Sequence, residues 1–149
     1  MDILVVRPDG SWYSRPDVTL VRDRDRFFLP DDCDGALACR CRALRADKAG
    51  KAIAPKFFPR YFSEWAQGVL FYGVPAGGEA TPLIDRSTWI DLSFHPLSGL
   101  PGDETENYAR AVASISSRLS IRIGDLICFE LEDPVSLRRG EMFENLLVS

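Results

Sequence analysis

Histidine, cysteine and long apolar runs are all scarce in this sequence. The 149 residues include one histidine and four cysteines, which leaves few ways to build a zinc site or a histidine-dependent active site. No apolar run approaches the ~18 residues that a membrane-spanning helix needs. The first seven residues lack both the basic stretch and the apolar length of a signal peptide. We therefore expect a cytoplasmic protein with no membrane partner.

Positive charge is also in short supply. Eighteen lysines and arginines face 22 aspartates and glutamates, which gives a formal net charge of −4. Such a chain lacks the general attraction to phosphate groups that most nucleic-acid binders use, so nucleic acid is not an expected partner. The chain is 46% hydrophobic and 27% charged, which is the balance of an ordinary globular domain. We expect a single domain over residues 1–149.

The four cysteines do not have the spacing of a zinc site. They are Cys33, Cys39, Cys41 and Cys128, and neither the C-x-C pair nor the gap before it matches the paired motifs of zinc-binding domains. In a strand over residues 36–44, alternate side chains share a face, so the two cysteines of the pair would lie together. This spacing predicts small, buried structural thiols rather than metal or redox chemistry.

Proline and glycine divide most of the chain into short apolar segments of strand length. The predicted strands cover residues 3–6, 18–22, 26–29, 36–44, 68–74, 88–94, 125–131 and 142–148. Many short strands with few helices predict a mainly β, α+β domain rather than alternating βαβ units.

One helix is predicted over residues 104–118. Its apolar residues recur at helical spacing and are Tyr108, Ala111, Val112, Ile115 and Leu119. Asp103 and Glu106 have the spacing of a capping box at its start. A second, shorter helix is predicted around Pro55 to Trp65, where Pro59 interrupts the pattern.

Several short motifs follow one another along the chain. They are Arg15-Pro16-Asp17-Val18-Thr19-Leu20, Phe27-Phe28-Leu29-Pro30-Asp31, Cys33-Asp34-Gly35-Ala36-Leu37-Ala38, Gly50-Lys51 with Arg60-Tyr61, and Ile123-Gly124-Asp125-Leu126-Ile127. In this order they resemble motifs of the C-terminal catalytic domain of the fumarylacetoacetate hydrolase family, over residues 15–74 and 106–147. The resemblance implies that family's fold, an α+β, mainly β architecture in which a mixed β-sandwich roll carries one or two helices.

The chemistry of that family requires a divalent cation, Mg²⁺ or Mn²⁺, held by three carboxylates, two of them spaced Glu-x-Glu. By resemblance these two positions are Asp34 and Ala36 in this chain, and the third falls near Leu70. Only Asp34 keeps an oxygen donor, and a single short carboxylate is too little to hold Mg²⁺ in a dedicated site. We therefore expect no bound metal or other cofactor and no catalytic residue set, with Asp34 as a vestigial metal position.

Other parts of the family's site are missing as well. Its water-activating histidine has no counterpart upstream, and its substrate loop of Gly, Thr and Pro is replaced by residues 128–132. Glu130 and Glu132 now stand where an anionic substrate would approach, and they would repel it. As alternatives, the two glutamates could act as a paired acid and base, or face water on a half-exposed strand with Phe129 and Leu131 inward.

Further groups stay open as functional candidates. Asp31, Asp32 and Asp34 could chelate a cation or simply form a solvated turn. Residues 40–60 carry seven lysines and arginines against one acid, which could dock an acidic partner or bind a small anion, or be a solvated face. His95 could be a general base or a surface histidine. An aromatic cluster could form a ligand wall or core: Phe57, Phe58, Tyr61, Phe62 and Trp65.

Three functional hypotheses remain. The leading one is a pseudoenzyme, a degenerate fumarylacetoacetate-hydrolase-like binding or assembly protein, paired by resemblance as a homodimer or with an active paralogue. The second is an active metal-dependent hydrolase or decarboxylase of small oxo acids, with ligands recruited from Asp31, Asp34, Glu130 or Glu132. The third is a small β-rich protein-interaction module outside the family, which would have no sandwich roll.

Overall fold

The computed structural model describes residues 1–21, 33–75, 78–80, 86–91 and 93–137. Within these residues the chain forms nine strands. In chain order they are β1 (Ile3–Val6), β2 (Trp12–Arg15), β3 (Leu20–Val21), β4 (Cys33–Ala46), β5 (Phe62–Pro75), β6 (Thr88–Ile90), β7 (His95–Pro96), β8 (Leu126–Glu130) and β9 (Val135–Leu137). The described part is thus mainly β, which confirms the predicted class.

One α-helix and three short 3₁₀ helices accompany the strands. The α-helix, α1, spans Gly102–Ser116, and the 3₁₀ helices span Asp17–Thr19, Pro55–Arg60 and Leu97–Gly99. No helix in the described part of the chain is both long and apolar enough to cross a membrane.

Most predicted strands are present, with different ends. Strand 3–6 is confirmed, 36–44 and 68–74 lie inside the longer β4 and β5, and 88–94 and 125–131 shorten to β6 and β8. The predicted strand 18–22 begins as a 3₁₀ turn and becomes extended only at Leu20. The predicted strands 26–29 and 142–148 lie outside the described residues. The strands β2, β7 and β9 were not predicted, because each is short and depends on a partner strand for its definition.

Helix α1 begins two residues earlier than predicted and ends two residues earlier. Its N-cap is Pro101, with no side-chain capping bond, so the predicted capping box of Asp103 and Glu106 is wrong. A capping side chain must belong to the non-helical residue before the first turn, and Asp103 already lies inside that turn. Its charge there still favours the positive end of the helix dipole.

The second predicted helix is only half formed. A 3₁₀ helix covers Pro55–Arg60, and strand β5 starts at Phe62, so Trp65 is a strand residue. Pro59 lies inside the 3₁₀ helix and cannot donate a backbone hydrogen bond, which limits this segment to a short turn. Phe58 and Phe62 nevertheless stack with ring centroids 5.3 Å apart in the core.

The strands form one mixed sheet built around the long pair β4 and β5. The order is β2-β1-β8-β4-β5-β6-β3, with β7 beside β5 and β9 beside β4. The pairs β1–β8 and β3–β6 are parallel, and the others are antiparallel. Because β1 and β8 come from opposite ends of the described chain, their pairing ties the two ends together.

Each face of this sheet carries its own core. The outer face packs against α1, and its buried residues include Leu4, Val6, Leu44, Phe58, Phe62, Val112, Ile115 and Ile127. The inner face packs on itself, and its buried residues include Ile3, Val5, Cys39, Cys41, Ala43, Ala66, Leu70, Tyr72, Ile90 and Cys128. The outer core is large and aliphatic or aromatic, whereas the centre of the inner core is built mainly of small side chains.

Small side chains line the inner core because the backbones approach closely there. A Cβ atom added at Gly68 would lie 2.8 Å from the Trp89 carbonyl oxygen and 2.9 Å from the Cys41 Sγ, closer than real Cβ contacts. Cys39, Cys41 and Cys128 are fully buried and free. They are packing residues of this crowded interior, which confirms the prediction of buried structural thiols.

Arg15 shows that the sheet curls into a roll. In a flat sheet, four steps of ~4.8 Å would hold β2 about 19 Å from β5. Instead, the Arg15 guanidinium donates hydrogen bonds to the Phe71 carbonyl of β5 at 3.0 Å and to the Ser87 carbonyl at 2.9 Å. The edge strand β2 has therefore come round to meet the opposite half of the sheet, as the predicted roll requires.

The turn before β8 explains one of the sequence motifs. Gly124 has φ +89°, a conformation that glycine adopts without steric cost. The Asp125 carboxylate next to it is fully buried and accepts the backbone N–H groups of Asp2 at 2.9 Å and Arg122 at 2.8 Å. The Gly-Asp pair thus closes the turn and fastens the start of β1 beside β8.

We expect Ile115→Ala to lower the free energy of unfolding by about 2–5 kcal/mol, because it leaves a cavity between α1 and the sheet. Ile115 is 0% exposed. The matched control is Ile123→Ala, which changes a side chain that is 71% exposed and should stay within about 0.5 kcal/mol of the parent. Urea denaturation of both variants measures the difference. Equal effects would contradict the assigned outer core.

We expect Arg15→Lys to lower the free energy of unfolding by about 2 kcal/mol or more, because lysine keeps the charge but leaves buried carbonyl groups without donors. The matched control is Arg45→Lys at the surface, where the Arg45–Glu64 distance is 3.9 Å and a change of about 0.5 kcal/mol or less is expected. The same denaturation assay applies. A loss no larger than that of the control would show that Arg15 does not hold the roll closed.

Candidate functional site

Two of the positions inferred for metal ligands point away from each other. In the β4–β5 register, Ala36 lies opposite Gly73 and Leu70 lies opposite Cys39, with no register shift between these pairs. Because side chains alternate along a strand, those of Ala36 and Leu70 project from opposite faces of the sheet. The Leu70 side chain is fully buried in the inner core.

Asp34 stands apart from other possible ligands in the described residues. It is exposed and sits at the register shift between Cys33 and Gly35. Asp31 and Asp32 lie outside the described residues. Across the described ranges, no three His, Cys, Asp or Glu side chains come together in a geometry that could hold a metal ion. The donors described here therefore do not fit the divalent cation of the resembled family.

Glu130 and Glu132 are both half-buried, as the sequence suggested, but they do not lie on one continuous strand. Strand β8 ends at Glu130, so the alternation of side chains does not continue beyond it. Leu131 is 42% exposed rather than inward, while Phe129 is buried against Tyr108 as expected. The two glutamates have separate partners, Tyr72 for Glu130 and Arg40 for Glu132.

Glu132 forms an ion pair with Arg40. Its carboxylate accepts two hydrogen bonds from the Arg40 guanidinium, at 2.7 Å from Nε and 3.0 Å from Nη2. The Arg40 bonds lower the pKa of Glu132. A bidentate pair of this kind is occupied by its own partner and leaves Glu132 poorly suited to bind another group.

Glu130 instead faces a cavity at one end of the roll, which we call the mouth cavity. Its volume is about 400 Å³, within the range of small-molecule sites. Its lining comes from β4, β5, β8 and the loops beside them, and consists of Arg7, Pro8, Asp9, Leu37, Tyr72, Ala80, Glu130, Asp133 and Pro134.

A chain of hydrogen bonds runs from the interior of the roll to this cavity. The Arg15 Nε–H donates to the Tyr13 hydroxyl at 3.1 Å, the Tyr13 hydroxyl donates to the Tyr72 hydroxyl at 3.1 Å, and Tyr72 donates to Glu130 Oε1. Arg15 is 2% exposed, and the guanidinium lies 5.0 Å from the centre of the Tyr72 ring. We call these four residues the mouth relay.

Burial is the largest influence on the pKa values of Glu130 and Tyr72 in the mouth relay. The pKa of Glu130 is raised by burial, although the Tyr72 bond and the charges of Arg7 and Arg15 act in the opposite direction. The pKa of Tyr72 is also raised, first by burial and then by its bond to Glu130. Because folding raises the pKa of Glu130, that carboxyl supports stability most at low pH, and this support is lost as the pH rises through the folded pKa.

The thiols near the cavity are not nucleophiles. Burial raises the pKa of Cys39 to about 12, and the negative charge of Glu130 adds to this effect. The pKa of Cys41 is raised by its contact with Cys128 and by burial. Neutral, buried thiols do not attack substrates or bind metals readily.

Three of the seven cations in the basic stretch of residues 40–60 lie near carboxylates of this chain. Arg40 pairs with Glu132, Arg42 with Glu104, and Arg45 lies 3.9 Å from Glu64. The remaining cations, Lys48, Lys51, Lys56 and Arg60, have no carboxylate partner within ion-pair distance in the described part of the chain. These four side chains are exposed to solvent, so the stretch is part ion-paired and part solvated.

His95 and the aromatic cluster pack against neighbouring side chains. The exposed His95 ring lies 4.8 Å from the ring of Trp65, and no acid or nucleophile among the described residues hydrogen-bonds to it. Phe58 and Phe62 belong to the outer core. Part of this cluster also lines an apolar groove of about 600 Å³ between α1 and the Pro55–Arg60 turn.

The mouth relay was not found from the sequence. Tyr13 and Arg15 are two residues apart, so they share a face if residues 12–15 form a strand, but nothing local marks that strand as part of a closed roll. Tyr72 is separated from Tyr13 by 59 residues. Only Glu130 was identified beforehand as a candidate.

Comparison with solved structures identifies the architecture. The chain superposes on maleylpyruvate hydrolase from Sphingobium sp. SYK-6 with TM-score 0.77 and 12% identity, over 92% of this chain and 62% of that one. It superposes on a 5-carboxymethyl-2-hydroxymuconate delta-isomerase from Mycobacterium smegmatis with TM-score 0.71 and 12% identity, over 91% and 68% of the two chains. For a yeast fumarylacetoacetate hydrolase family protein the values are 0.69 and 11%, over 92% and 82%.

These similarities establish the fold. No protein-family model matches this sequence, and no curated protein sequence matches it either. The chain has the fold of fumarylacetoacetate hydrolase family proteins, as the order of motifs predicted. The hypothesis of an interaction module without a sandwich roll is therefore wrong. The Sphingobium hydrolase has also been solved in complex with manganese(II) and pyruvate.

We expect Tyr72→Phe to raise the pKa of Glu130 further, because the hydroxyl that it removes donates to the charged carboxylate. The matched control is Tyr61→Phe, whose hydroxyl makes no bond to Glu130, and it should leave that pKa unchanged. Measuring the Glu130 carboxyl carbon by NMR as a function of pH gives both values. An unchanged or lower pKa in Tyr72→Phe would contradict the assigned mouth relay.

Proposed function

We propose that this chain is a distant member of the fumarylacetoacetate hydrolase family that has lost the metal-dependent chemistry of the family and acts as a binding protein. The observation that carries the proposal is the mouth cavity, where Glu130 is held by Tyr72 and no metal-ligating group is assembled from the described residues. The roll is kept, while within the described ranges no donors come together to hold a divalent cation.

The chemistry of the ligand positions supports this proposal. Mg²⁺ and Mn²⁺ bind through several carboxylate or carbonyl oxygens directed at one point. Asp34 offers one exposed carboxylate, whereas Ala36 and Leu70 offer none and face opposite sides of the sheet. Even if both positions carried acids, the two carboxylates would lie on opposite faces of the sheet and could not bind the same ion.

The alternative of recruited ligands has less support. An active hydrolase or decarboxylase built from Asp34, Glu130 and Glu132 would need these carboxylates to meet at one ion. Glu132 is bound to Arg40 and Glu130 to Tyr72, and Asp34 is exposed on β4 beside a register shift. Moving them together would break both existing contacts.

The proposal also includes pairing of the chain. Proteins of the resembled family pair through this domain, so the binding protein is proposed to work as a homodimer or together with an active paralogue. The apolar groove between α1 and the Pro55–Arg60 turn is one surface that such pairing could cover. Light scattering on the purified chain distinguishes a dimer from a monomer.

We expect no saturable heat of binding when Mg²⁺ or Mn²⁺ is titrated into the purified chain, because the residues that the structure describes bring together fewer donors than either ion requires. Isothermal titration calorimetry makes the measurement, with the Sphingobium maleylpyruvate hydrolase as a positive control, since it has been solved with manganese(II). The parent and Asp34→Ala should give the same flat titration.

Two results would overturn the proposal. One is Mn²⁺ binding in the micromolar range that Asp34→Ala abolishes. The other is hydrolysis of an acylpyruvate by the pure chain that a metal chelator stops. Either result would favour the active metal-dependent enzyme instead.

A further inference from the structure

The mouth cavity has an excess of hydrogen-bond acceptors. Its charged lining residues are three carboxylates, on Asp9, Glu130 and Asp133, and one guanidinium, on Arg7. The balance stays negative even when the buried Arg15 behind the cavity is added. Negative charge concentrated in a cleft attracts small cations and repels anions.

The mouth relay fixes the direction of its hydrogen bonds. An arginine side chain is always protonated and can only donate, so the Tyr13 hydroxyl that accepts from Arg15 turns its own proton to Tyr72. Tyr72 in turn donates to Glu130 Oε1. Every hydroxyl proton of the mouth relay is therefore directed towards the carboxylate, and Glu130 Oε1 accepts the last of these hydrogen bonds.

Glu130 keeps a free acceptor at the cavity. Tyr72 occupies Oε1, and Oε2 accepts no hydrogen bond from the residues that the structure describes. The neighbouring donor, Arg7, lies over the Tyr13 ring at 4.9 Å. A ligand that hydrogen-bonds to the second oxygen must bring its own N–H or O–H group, because a carboxylate oxygen accepts hydrogen bonds and does not donate them.

We infer that the mouth cavity binds a small organic ammonium ion, whose N–H groups donate to Glu130 and whose carbon skeleton lies against Leu37 and Tyr72. The inference rests on the proposed function, since it takes the cavity as a ligand site and adds the class of ligand. On this inference the cavity favours cations and repels anions. Any anionic ligand of this protein would have to bind elsewhere.

Three probes of the same shape and different charge test the inference. Benzylammonium, benzyl alcohol and benzoate are titrated separately into the full chain at near-neutral pH, and amide and methyl shifts are followed by NMR. We expect benzylammonium to bind about tenfold or more tightly than benzyl alcohol, since a charged hydrogen bond is stronger than a neutral one. Benzoate should not bind, and the shifts should centre on Leu37 and Tyr72.

Matched variants locate the effect. Glu130→Gln should weaken benzylammonium binding about tenfold or more, because it removes the charge but keeps the shape. Glu106→Gln, a change of the same kind at the apolar groove, should leave the affinity unchanged. Asp133→Asn alters an exposed residue without threatening the fold, and a loss of several fold is expected from it.

The outcomes separate this inference from the proposed function. Preferred binding of benzoate or benzyl alcohol at Leu37 and Tyr72 would overturn the ammonium class while keeping the cavity as a ligand site. A loss of affinity in Glu106→Gln but not in Glu130→Gln would place the cation at the groove and overturn the inference. If none of the probes changes the shifts of the cavity residues, both the inference and the proposal of small-molecule binding in this cavity are wrong. The metal titrations test the loss of the family's chemistry separately.

Discussion

A single buried guanidinium joins the two halves of this sheet. Arg15 leaves an edge strand and ends among the carbonyl and hydroxyl oxygens of Phe71, Ser87 and Thr88. A cation removed from water is tolerated only when its donors are satisfied, and the planar fork of arginine can reach acceptors on several strands at once. The curl of the sheet supplies those acceptors, and the guanidinium in turn holds the curl.

The same residue sets the chemistry of the cavity. Because Arg15 never gives up its proton, the hydroxyls of Tyr13 and Tyr72 are oriented in one direction, and the negative charge at Glu130 is stabilised from behind. Fold and site are therefore connected through one row of side chains. Substitution of one residue that lines the cavity, such as Glu130, can therefore change which ligands bind there. The contacts of Arg15 that close the roll would remain.

The chain shares its fold with the solved structures at 11–12% identity. It has small residues where strands crowd together and a glycine with positive φ before β8. These positions are constrained by backbone geometry, which every protein with this roll must satisfy. Metal ligands are constrained only by activity, so they can be lost while the architecture remains.

The sequence alone determined the local features of this protein. The apolar periodicity of α1, the central parts of β4 and β5, and the burial of Cys39 and Cys41 all follow from spacing along the chain, because side-chain alternation is a property of neighbouring residues. The order of motifs also indicated the roll. Only the tertiary structure decided that β2 closes the roll, that Glu130 is turned into a cavity, and that Ala36 and Leu70 face apart. Those facts depend on contacts between distant residues, such as Arg15 and Thr88, which are 73 positions apart. No local pattern encodes which distant strand a side chain will meet.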